Sequence, residues 1–147
     1  MKVFSLFLSQ VLLAFFIVCL PLKAAENPFI GSWQLVSGKY LDGKGQWVEY
    51  SDLKLSAIKV ISANHFSFTT MKNVGSDAKP TLEFWAAATG DYEYTVTDYT
   101  EYPYLNSFGV NAGESFTFTY TIEGKEWRTQ RTEDGVLKEQ EHWTKLD

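Results

Sequence analysis

The chain has 147 residues, 13 basic against 18 acidic side chains, and a single cysteine, Cys19. That length suits one domain, and an acidic balance repels phosphate backbones, which excludes nucleic acid as a partner. One cysteine alone leaves no internal disulfide to staple the fold, so stability must come from a core.

The first 25 residues read as an export signal. Lys2 gives a positive start, residues 3–22 are nearly all apolar, and Leu22-Lys23-Ala24-Ala25 supplies small residues for cleavage. The apolar run approaches the roughly 20 residues of a spanning helix, so an uncleaved anchor is the alternative. A lipoprotein acylated at Cys19 is a third reading, although Ile17 and Val18 are bulky where such a signal has a small residue. The expected organisation is a signal peptide at 1–25 and a domain at 26–147, in a periplasmic or secreted monomer that meets membrane only through an uncleaved signal. Loss of Lys2 and Lys23 leaves 11 basic against 18 acidic side chains.

Pro28 breaks any helix running on from the signal. The first strand is predicted over 31–41, with Trp33, Leu35, Ser37 and Lys39 on one face and Gln34, Val36, Gly38 and Tyr40 on the other. Gly38 inside it predicts a bulge or bend. Asp42-Gly43-Lys44-Gly45 is a turn, and 47–50 is the return strand of a hairpin. Residues 55–62 form the next apolar segment. Residues 65–71 alternate Phe66, Phe68 and Thr70 against His65, Ser67 and Thr69. A loop over 72–80 belongs at a barrel rim.

The chain returns over 82–89. Ala86-Ala87-Ala88 could start a helix, but Gly90 follows at once and leaves no length for one, so these small side chains suit a place where two walls approach closely. Residues 91–97 alternate Tyr92, Tyr94 and Val96 with polar partners. Pro103 cannot donate to a ladder, so 98–104 is an edge, a bulge or a strand end. A second loop covers 105–114. Strands over 115–122, 126–132 and 136–146 finish the chain, turned at Glu123-Gly124-Lys125 and Glu133-Asp134-Gly135.

Nine or ten strands joined by short turns, with no crossover helix, imply an antiparallel sheet. Closure removes its edges, so the expected fold is all-β, an antiparallel up-and-down barrel of about 8–10 strands. A barrel of roughly eight strands has room for one small ligand. A two-sheet sandwich is the alternative, but it calls for large aliphatics at inward positions, whereas these strands alternate aromatics with Thr and Ser.

Catalytic signatures are absent: no Gly-x-Ser-x-Gly, no Gly-rich phosphate loop. The two histidines, His65 and His142, are far apart. A metal site adding Glu139 or Glu141 to His142, or a haem on His65, lacks a ligand fingerprint, so neither metal nor cofactor is expected. Glu139 and Glu141 share one face of the last strand, and the expectation is a charged outer face. The binding signal is the aromatic set Phe66, Phe68, Phe84, Tyr94, Phe118, Tyr120 and Trp127 on neighbouring strands, which suits an amphipathic guest.

Gly31-x-Trp33, His65-Phe66-Ser67-Phe68 and Glu141-His142-Trp143 together resemble lipocalins and fatty-acid-binding proteins, the calycin group, above all the bacterial lipocalin-like secreted proteins. The resemblance spans nearly all of residues 26–147. It implies a barrel opened by Gly31 and plugged at its closed end by Trp33, with a late-strand cation, Arg131 or Arg128, packed across that indole. It also implies a ligand carboxylate on Arg128, although the Arg-x-Tyr of the final strand in fatty-acid-binding proteins is missing. The function so implied is an exported protein holding a small hydrophobic or amphipathic molecule. The alternatives are an isomerase, cyclase or hydrolase on the same barrel using Glu139, Glu141 or His142, and a ligand-free envelope interaction module with a filled core and an exposed aromatic patch around Tyr99 to Tyr104.

Overall fold

A computed structural model describes residues 26–147; the expected signal at 1–25 lies outside the described residues. Nine strands follow one another there: β1 (Gly31–Leu41), β2 (Trp47–Glu49), β3 (Leu55–Ile61), β4 (His65–Asn73), β5 (Leu82–Tyr94), β6 (Asp98–Asn106), β7 (Phe116–Glu123), β8 (Glu126–Glu133) and β9 (Val136–Lys145). From β3 to β9 each pairs antiparallel with the next, and β9 returns to β1 over Trp33↔Lys145 to Tyr40↔Glu139. The ring is therefore closed by eight strands, which leaves no sandwich.

β2 lies outside that ring. The lower half of β1 pairs with β3 from Gly31↔Ile61 to Gln34↔Ile58, and its upper half with β2 from Lys39↔Glu49 to Leu41↔Trp47. The hairpin between them is tied by Asp42, whose Oδ1 accepts from the amides of Lys44 and Gln46 at 2.8 Å each.

Four ladders carry register shifts, and two of them matter most here. The ladder with β9 shifts between Leu35 and Ser37, so the bulge is at Val36 and not at Gly38. It moves the phase by one residue: Trp33 and Leu35 point in, then Gly38 and Tyr40, while Ser37 and Lys39 turn outward. Gly38 is bare because a Cβ there would stand 2.5 Å from the ring of Tyr50. The second irregularity joins the two segments read over 82–89 and 91–97 into one strand, β5. Its ladder with β6 shifts between Thr89↔Leu105 and Asp91↔Tyr102, and a Cβ on Gly90 would meet the Tyr102 carbonyl at 1.9 Å. Pro103 sits buried in this bulge, where no ladder donor is needed.

Aromatic side chains seal the floor. Trp33, Phe29, Tyr99, Trp127 and Phe66 are all essentially inaccessible. The lead segment folds beneath the barrel, and Phe29 packs within 4.8–5.2 Å of the rings of Tyr99, Tyr120, Tyr94 and Trp127. The Trp33 indole N–H donates to the Phe29 carbonyl at 2.8 Å, and Asn27 donates to the Tyr92 hydroxyl at 2.7 Å. Trp33 stands buried at the base together with Phe29, which carried no sequence signal beyond its position before Gly31. The cation across Trp33 is Lys145, 5.4 Å from the ring centre, in place of the expected arginine.

Candidate functional site

Above this floor lies a half-enclosed cavity of about 440 Å³. Leu35, Leu55, Ala57, Phe68, Phe116 and Phe118 give it an apolar wall, and Trp85 and Phe108 stand toward the mouth. Polar side chains stand among them: Lys59, the register partner of Phe68, Glu101, the register partner of Phe116, and Tyr50, Arg131, Glu139 and Glu141. An interaction module with a filled core does not fit this interior, and Tyr99, expected in an exposed patch, is 0% exposed.

The inward charges arise from strand parity. On β3, Leu55, Ala57, Lys59 and Ile61 face in, leaving Ile58 and Val60 exposed. On β9, Glu139 and Glu141 share the face of the buried Trp143, which overturns the expected charged outer face. Burying such groups is costly unless they are paired, and most are. Lys59 Nζ meets Glu101 Oε1 at 2.6 Å with both side chains 5% exposed. Arg131 Nε donates to Glu139 Oε2 at 2.9 Å and also pairs with Glu133. Burial by itself would lower the Lys59 pKa, but the adjacent charge of Glu101, with Glu141 next, holds it above the ordinary lysine value.

Tyr50 spans the two carboxylates of β9. Its hydroxyl donates to Glu139 Oε1 at 2.7 Å and lies 3.4 Å from Glu141 Oε1. Burial, then the charges of Glu141 and Glu139, raise its pKa, so it stays a phenol. The Trp143 indole N–H donates to Glu141 Oε2 at 2.9 Å. Burial first, and the charge of Glu139 second, push the Glu141 carboxyl up to about 7, against the opposing pull of Lys59.

Of the aromatic set read from the sequence, Phe68 and Phe118 line the cavity. Phe66 and Trp127 are buried in the floor core, and Tyr94 and Tyr120 pack on Phe29 beneath it. Phe84 is 59% exposed and does not reach the cavity. Arg128 lies on the exposed face of β8, with its register partner His142 on the outer face of β9. It cannot hold a carboxylate inside. Arg131, expected at the base, stands in the cavity wall over Phe116 at 5.1 Å. His142 pairs with Glu126, away from Glu139 and Glu141. Among the described residues, no three His, Asp or Glu side chains stand close enough to share a metal ion.

The missed residues are Lys59, Glu101 and Tyr50, and for the named pair Glu139 and Glu141 what was missed is that they face inward. One signal for the pair was available: period-two spacing from Trp143 puts both on whichever face that indole buries. No signal of this kind pointed to Tyr50, which lies beyond the end of β2.

No known protein-family model matches the chain, and no curated protein and no solved structure matches it.

Proposed function

We propose that this protein binds a small amphipathic molecule inside its barrel. The observation that carries the reading is the half-enclosed cavity of about 440 Å³, lined by aromatic and aliphatic side chains with charged groups among them, above a sealed floor. Pockets of this size and mixed lining suit small organic guests. At interior packing density such a space takes roughly 15–20 non-hydrogen atoms. Export to a periplasmic or extracellular compartment belongs to the same proposal and is supported by the pattern of residues 1–25 alone.

The test is a fluorescence titration. Trp85 and Trp143 line the cavity and report a guest directly. A saturable change is expected with an uncharged aromatic alcohol or a retinoid-like lipophile, and Ala57→Phe, which fills the wall, should abolish it. Absence of any saturable response across a broad lipophile panel would overturn the reading.

A second reading is favoured by one observation, the half-buried Glu141 beside Tyr50 with its carboxyl pushed up to about 7. A carboxyl in that range suits general acid–base work near neutrality. Enzyme-dependent wash-in of deuterium from D2O into an enolisable guest such as 4-phenyl-2-butanone, lost in Glu141→Gln, would support catalysis. Exchange no faster than in buffer would dismiss that activity.

A further inference from the structure

We propose that the guest is an apolar amine bound as its ammonium, with Glu141 as the counter-ion. The proposal rests on the binding reading above and names its ligand class.

Five charged side chains line the cavity: Lys59, Glu101, Arg131, Glu139 and Glu141. Four of them pair off, Lys59 with Glu101 at 2.6 Å and Arg131 with Glu139 at 2.9 Å. Glu141 has no cation of its own. Its Oε2 takes the Trp143 indole N–H. Its Oε1 faces the Tyr50 hydroxyl at 3.4 Å, but a phenol has one proton to give, and Glu139 lies nearer at 2.7 Å. With that proton committed, Glu141 Oε1 and the phenolic oxygen are two acceptors turned toward each other. When the carboxyl is ionised, a donor between them satisfies both.

A primary ammonium brings three donors and no acceptor, which suits the gap where Glu141 Oε1 and the phenolic oxygen of Tyr50 both accept. The surrounding aromatics already serve cations. The Lys59 ammonium lies 5.0 Å from the Trp143 ring and 5.6 Å from Phe68, and the Arg131 guanidinium 5.1 Å from Phe116. A carboxylate guest would meet three carboxylates with both cations engaged, so a fatty acid is the wrong sign. The apolar wall of Leu35, Leu55, Ala57, Phe68 and Phe118 takes the body of the amine.

The other titratable groups facing Glu141 are Glu139 on its own strand, Lys59 from β3, Glu101 and Tyr99 from β6, Arg131 from β8, and Tyr40 and Tyr50. An arriving ammonium favours the ionised carboxylate. Below about pH 7 its binding therefore expels a proton from Glu141, and its affinity rises from pH 6 to pH 8.

The experiment is calorimetric titration of the purified protein at pH 8 with 4-phenylbutylamine, 4-phenylbutanol and 4-phenylbutyrate, which share one body and differ in the head. The amine is expected to bind at least about tenfold tighter than the alcohol, the size of one charge-assisted hydrogen bond, and the acid weakest. Glu141→Gln should erase the amine's advantage over the alcohol. At pH 6, amine binding to the unaltered protein should release protons, read from heats in two buffers of different ionisation enthalpy. Parity of amine and alcohol, preference for the acid, or no proton release overturns the counter-ion and leaves the binding reading standing. No binding by any of the three overturns that reading, and the counter-ion with it.

Discussion

The ammonium of Lys59 has four aromatic rings within 5.0–5.8 Å and one carboxylate at hydrogen-bond distance. Such a pair gains little over an apolar substitute, but halving it strands a charge in a dry site. Glu101→Gln should therefore cost about 3–5 kcal/mol in urea unfolding, and adding Lys59→Met should recover most of it. A single-variant cost below about 1 kcal/mol would place the pair in water. Glu141 makes the opposite kind of statement. Its folded pKa of about 7 lies above the ordinary 4.5, so the folded state holds the proton more tightly. That contribution is complete below about pH 4.5 and drains away as pH climbs through 7, at most about 3 kcal/mol by linkage. Unfolding free energy should fall between pH 5 and 7.5, and Glu141→Gln should remove that part of the slope. Little of this was legible in the chain. Charged residues usually face water, and what lets Lys59 and Glu139 stand inward is partners 42 and 8 positions away, Glu101 and Arg131.

Strands were the legible level. Alternation with period two survives in β4, β7 and β8, and the turns at Asp42-Gly43, Glu123-Gly124 and Asp134-Gly135 stand where glycine and its neighbours put them. What did not show is phase. A bulge adds one residue without a marker of its own; at Val36 it swaps the faces of everything after it on β1, which is how Tyr40 reaches the cavity and Lys39 leaves it. Gly38 looked like the irregular position because it is glycine, but it is needed for the ring of Tyr50. Gly90 was legible only as a helix stop, and the pairing of its bulge with Pro103 explains how a proline sits inside β6. Gly90→Ala should cost about 3 kcal/mol or more, because backbone at 1.9 Å cannot step aside. Gly43→Ala is the control: nothing lies within 4 Å of where its methyl group would stand, and thermal unfolding should shift by less than about 0.5 kcal/mol equivalent.

At the level of the whole molecule, closure places Gly31 and Lys145 on neighbouring strands, and the Asp147 carboxylate accepts from the Ser32 amide at 2.8 Å. Leu146 donates to the Ser32 carbonyl at the same distance. The two ends of the described barrel therefore meet at its floor, on the side away from the loops over 74–81 and 107–115. A ring whose ends touch has no privileged starting point. Joining residue 147 to residue 27 through a short flexible tether, and cutting the circle between Phe108 and Glu114 instead, would keep all nine ladders while renumbering which strand comes first. Such a rotated chain should give the same far-ultraviolet spectrum and cooperative unfolding as the parent. A permutant that stays unfolded would mean that the order of synthesis, and not only the set of neighbours, is written into this circle of strands.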